Sequence, residues 1–109
     1  HENFKNTIIE TKEGGTQLTL KELAPVRLIK NKFFNDLQEL YAKCPTTEEL
    51  KTLLGRARAK KGMFEGDLVD GELEIGQIAG LINEIKPVKE IIDEMITEFN
   101  WAKNNFPKI

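Results

Sequence analysis

A chain of 109 residues, 39% hydrophobic and 31% charged, holds the material for one compact core. Its 16 basic and 18 acidic residues leave a formal charge of -2, too weak a field to recruit nucleic acid or an anionic membrane surface, so neither partner is expected. The lone cysteine, Cys44, excludes an internal disulfide and a cysteine-built zinc site, and no apolar run approaches the ~20 residues of a bilayer span; the expected setting is reducing and cytoplasmic.

Residues 2–11 read as a helix with Phe4, Ile8 and Thr11 on one face. Nothing before it supplies a cap, so the polypeptide is expected to continue upstream of His1. Gly14-Gly15 ends this helix, and residues 16–20 alternate as a short extended stretch would. Pro25 drives Ala24 from the helical region, and residues 26–29 follow as a second extended piece or an irregular crossing segment. Phe33, Phe34, Leu37, Leu40 and Tyr41 then recur at helical spacing until Cys44-Pro45 stops them.

Thr46-Thr47-Glu48-Glu49 has the form of a capping box, and a third helix is expected to run from it with Leu50, Leu53, Leu54 and Ala57 on its apolar face. Arg56, Arg58, Lys60 and Lys61 fall around the other side, near the C-terminal end where cations suit the dipole, and read as a solvated face. From Gly62 onward the chain changes character: Gly62, Gly66, Gly71 and Gly76 are set among acidic residues. Such spacing marks a loop with shape requirements, which a ligand site and a tight connection demand equally. The acids do not follow calcium-loop spacing, and no metal site is expected.

Ile75, Ile78, Ala79, Ile82 and Ile85 predict an amphipathic helix whose first amides, at Gly76-Gln77, are free to meet an anion or a polar ligand atom. Pro87 opens a last helix whose stripe of Val88, Ile91, Ile92, Met95, Ile96 and Phe99 is expected to serve a core. Residues 100–109 are polar apart from Trp101 and Phe106, and fray unless those aromatics dock.

Chemistry is sparse. The one histidine is His1, so no nucleophile has a histidine base from within the body of the chain. Neither the glycine fingerprint of a dinucleotide fold nor a phosphate-binding P-loop is present, and Asp70 with Glu72 reads as a solvated pair. No catalytic residue is expected here, and the residues alone indicate a mostly helical binding or auxiliary module.

Glu65-Gly66-Asp67, Gly71, and Gly76-Gln77-Ile78-Ala79-Gly80-Leu81-Ile82 nevertheless resemble the C-terminal signature of the nitronate monooxygenases (2-nitropropane dioxygenases) and the related flavin-dependent enoyl-acyl-carrier-protein reductases. His1-Glu2-Asn3-Phe4-Lys5 and Pro25-Val26-Arg27 with Lys30-Asn31 are similar to two upstream segments of the same proteins, in the same order. The resemblance implies a mostly α chain that is the C-terminal part of an α/β TIM-barrel flavoenzyme, a helical insertion domain plus the last barrel helix. It divides the chain into residues 1–15 leaving the barrel, residues 16–66 as a lid-like insertion, and residues 67–109 as the glycine-rich loop, last barrel helix and terminal helix. It also implies FMN in the intact parent, with its phosphate loops and histidine base upstream of His1 and none expected on this chain alone. Phe64, Gly76 and Gln77 would shape the cavity. Many relatives carry serine and then methionine where Glu72 and Glu74 stand, so the substrate stays open between an alkyl nitronate and an enoyl thioester. The residues also leave open a different class, an autonomous helical module that uses the stripe after Pro87 as a homo-oligomer or partner interface.

Overall fold

The computed structural model describes residues 1–108; Ile109, the end of the 67–109 segment, lies outside the described residues. The chain runs α1 (Glu2–Glu10), β1 (Thr16–Thr19), β2 (Val26–Ile29), α2 (Lys32–Tyr41), α3 (Thr47–Leu54), α4 (Arg58–Met63), a 3-10 turn (Gln77–Leu81) and α5 (Val88–Asn105). It is mostly helical with one small antiparallel sheet, in which Thr16 pairs with Ile29 and Thr19 with Val26. Both extended stretches are therefore strands of one hairpin. Residues after the glycine-rich loop add a short third edge, because Ile29 N–H donates to Leu73 O (3.0 Å) and Ile75 N–H to Arg27 O (3.1 Å).

The core gathers where the hairpin meets α2 and α3: Leu20, Leu28, Phe33, Phe34, Leu37 and Leu50 are buried, with Leu53, Leu54 and Tyr41 packed around them. The starts of α2 and α3 have local reasons. Asn31 accepts from Phe34 N–H at 3.0 Å and caps α2. Thr46 accepts from Glu49 N–H (3.2 Å) while the Glu49 carboxylate takes Thr46 N–H (2.7 Å), forming the expected capping box.

Several expectations change. The first helix is capped, since His1 Nδ1 accepts from Asn3 N–H at 3.1 Å. The third helix stops at Leu54, because Gly55 (φ +66°) and Ala57 (φ +57°) turn left-handed and α4 starts afresh. The helix expected over residues 75–85 is reduced to the five-residue 3-10 turn, for Ile75 is held extended by the sheet edge and Pro87 keeps Lys86 out of the helical region. The last helix runs on through Trp101 to Asn105, where the polar tail was expected to fray.

That last helix does not serve the core of this chain. None of its residues is buried, and Met95, Phe99 and Trp101 are 59%, 66% and 68% exposed. It projects from the body, so the radius of gyration is 17.5 Å where ~13 Å suits a compact chain of this length. No helix among the described residues is long and apolar enough to cross a membrane.

Candidate functional site

The best-formed concavity is built from three segments brought together by the sheet. Its first wall is the turn after α1, where Thr11 Oγ1 donates back to Thr7 O (2.7 Å) and Gly14 takes φ +74°. The second is the outer face of the hairpin, with Thr16 and Arg27. The third is the 3-10 turn, delivered by the pairing of Ile75 with Arg27 and seated through the fully buried Ala79. A Cβ on Gly80 would lie 3.3 Å from Glu13 N and 3.4 Å from its Cα, so Gly80 lets the turn close on the backbone of Glu13. The resulting cleft has a volume of about 570 Å³, within the range of small-molecule sites.

Its electrostatics rest on Arg27 and Lys12, opposed by Glu13. Arg27 Nη1 donates to Thr16 O (3.2 Å) and Thr16 Oγ1 (3.1 Å), which fixes the guanidinium and leaves its remaining N–H groups unengaged by other groups among the described residues. Among the described residues neither Arg27 nor Lys12 lies within 4.0 Å of a carboxylate oxygen. The apolar lining is aliphatic, from Ile78 and Leu81, which are 61% and 77% exposed.

Of the three residues singled out by the sequence, Gln77 lines this cleft. Gly76 precedes the 3-10 turn, and Phe64, 71% exposed, is the C-cap of α4; neither lines the cleft. Lys12 and Arg27 were not singled out for a site. They stand on different elements, and no sequence spacing joins them.

The glycine-rich loop is shaped by its own packing. A Cβ on Gly62 would meet Leu73 Cδ2 at 2.8 Å and Glu72 O at 2.9 Å, and one on Gly71 would collide with Gly62 and Asp67 O. The two glycines allow α4 to lie against residues 71–73. Asn31 Nδ2 ties the loop to α2 through Leu68 O (3.0 Å) and Gly71 O (2.8 Å). Asp67 Oδ1 accepts Asp70 N–H (2.9 Å) and Val69 N–H (3.0 Å); the Asp70 amide, Lys61 and the Val69 amide hold its carboxyl below the usual range.

The basic group is not uniformly solvated. Arg58 turns inward, donating to Leu54 O (2.7 Å), Leu53 O (2.8 Å) and Asp70 O (2.7 Å) with its guanidinium carbon 4.4 Å from the centroid of the Phe33 ring. It closes the end of α3 and pins the loop. Glu72, expected on a solvated pair, is only 7% exposed. Burial pushes its carboxyl above the usual range, Glu74 adds to this, and Arg58 opposes it.

Among the described residues the starts of α1, α2 and α3 are capped by His1, Asn31 and Thr46, whereas α4, the 3-10 turn and α5 begin without a side-chain cap. The cleft has no aromatic lining among the described residues.

No protein-family model and no curated protein matches the chain. Among solved structures it is similar to FabK from Thermotoga maritima, at 32% identity and a TM-score of 0.78, over 95% of this chain and 33% of that one. The FabK M276A mutant from the same organism aligns at 31% identity and a TM-score of 0.73, over 95% and 30%. Nearly the whole chain, including its projecting α5, thus shares both fold and sequence with about a third of FabK.

Proposed function

We propose that this chain is part of a flavin-dependent enoyl-thioester reductase of the FabK kind, a TIM-barrel oxidoreductase related to the nitronate monooxygenases. The observation that carries the reading is the 32% identity to FabK across 95% of the chain. Residues 16–66 then act as a lid-like domain and residues 67–109 return to the barrel, with Gln77 on the cavity wall and Phe64 and Gly76 at its margin. FMN belongs to the intact parent, held by residues outside this chain. The exposed stripe of α5 supports the division of labour, because an 18-residue amphipathic helix without a covering surface calls for one.

FabK similarity favours the enoyl thioester over the nitronate as substrate. The test uses the polypeptide from the full reading frame. It should purify yellow with flavin, and its reduced flavin should be reoxidised anaerobically by crotonyl thioester. A colourless, folded product refutes the flavoenzyme. A yellow product whose oxidised flavin is instead reduced by an alkyl nitronate, and whose reduced form ignores the thioester, refutes the substrate alone.

The same stripe also suits an autonomous dimerisation module. Sedimentation of the 109-residue chain separates the two, since a stable dimer with α5 sequestered favours the module.

A further inference from the structure

We infer that residues 72–76 form a proton-governed latch: with Glu72 protonated they hold the 3-10 turn against the turn after α1, and with Glu72 ionised they release it. The latch belongs to this chain's own residues and does not depend on what the longer protein catalyses.

The segment is fastened at three points around Glu72. Glu72 N–H donates to Arg58 O (3.0 Å) on α4, while Leu73 O accepts Ile29 N–H (3.0 Å) and Ile75 N–H donates to Arg27 O (3.1 Å) on the hairpin. The 3-10 turn follows directly after Gly76, with Gly80 resting on the backbone of Glu13. Within this fastening the Glu72 side chain is buried, and among the described residues no lysine or arginine nitrogen lies within 4.0 Å of its carboxylate. An ionised carboxylate so placed loses hydration without gaining a partner, a cost that its protonated form largely escapes.

The surrounding charges give little relief. On α4, Arg58 has committed its guanidinium to Leu53 O, Leu54 O and Asp70 O, and Lys60 and Lys61 are paired with Glu65 (3.6 Å) and Asp67 (3.1 Å). On α2, Lys32 is paired with Asp36 (2.6 Å) and Asp70 (3.7 Å). On the hairpin, Arg27 is bonded to Thr16 and Lys30 is exposed. Glu74 follows Glu72 by two residues and so shares its face of the extended segment. Burial, and then Glu74, hold the Glu72 carboxyl above its ordinary value of 4.5, with Arg58 opposing. Opening hydrates the carboxyl and restores that value. The latch is therefore strongest below 4.5, weakens as pH rises, and is weakest above the folded value.

Native-state hydrogen exchange of the 109-residue chain, corrected for intrinsic rates, tests this from about pH 4 to about pH 8. The reporters are the amides of Ile29, Glu72 and Ile75, together with Ala79 N–H, which is bonded to Gly76 O (3.1 Å) in the 3-10 turn. All four should exchange faster than Leu50 N–H, bonded to Thr46 O in the core, because the latch opens without global unfolding. Their protection should fall with pH by at most about tenfold per unit, the limit for one proton, and then level. Glu72→Gln, which keeps the shape and removes the charge, should abolish this fall, and Glu74→Gln should diminish it. A fall of wild-type size in either variant, reporters no faster than Leu50, or an Ala79 amide indifferent to pH would each overturn the inference.

Discussion

The hairpin with α2 and α3 and the terminal helix α5 carry comparable apolar patterns and meet opposite fates. Phe33, Phe34 and Leu37 recur at helical spacing and are all buried. Val88, Ile92, Met95 and Phe99 recur just as regularly and remain exposed. Periodicity states which face of a helix seeks cover; it does not state whether the cover lies within the same chain. In the body, long-range polar ties such as Arg58 to Asp70 and Asn31 to Gly71 fix the elements on one another. The polar ties recorded for α5 are local, such as Lys86 with Glu94 (2.7 Å) and Asn105 with Trp101 (2.8 Å).

This contrast can be broken first in the body. Leu37→Ala removes a fully buried side chain and should cost about 2–5 kcal/mol in chemical denaturation. Arg58→Ala should cost about 3 kcal/mol by losing three charge-assisted hydrogen bonds and the Phe33 face; Arg58→Lys should recover little, because an ammonium cannot reproduce the fork. Gly62→Ala should cost about 1–3 kcal/mol, since its methyl would press on Leu73 and the Glu72 carbonyl.

Glu72 sharpens the comparison through pH. Its carboxyl is raised in the folded state, so its favourable contribution is present below the unfolded value and is lost as pH rises through the folded one. Glu72→Gln should therefore raise Tm at neutral pH, and the gain should fade as pH falls below ~4, where the wild-type group becomes protonated in both states. An unchanged Tm difference across that range contradicts the burial. The smallest effect belongs to α5: Ile92→Ser should change the stability of this chain by less than about 0.5 kcal/mol.

The sequence displayed what depends on neighbours in the chain. The Thr46–Glu49 box, the α2 stripe bounded by Pro45, and the start of α5 after Pro87 were all legible, because capping and periodicity are local. The break at Gly55 and Ala57 was not, since the apolar rhythm continues through Ala57 and an alanine in left-handed backbone carries no sequence mark. The shortened segment after Ile75 was hidden similarly: pairing with Arg27 overrides a helical spacing. Of the candidate site, Gln77 was legible through the family-like motif in which it stands. Lys12 and Arg27 become neighbours in one cleft only when the hairpin and the 3-10 turn close on the end of α1.

Hydrogen exchange of α5, measured in the 109-residue chain and in the longer polypeptide, tests the central claim most directly. The account predicts that α5 amides exchange quickly in the short chain while Leu28 and Leu37 are protected, and that α5 acquires core-like protection in the longer one. Core-like protection of α5 already in the short chain, or none gained in the longer, would contradict it.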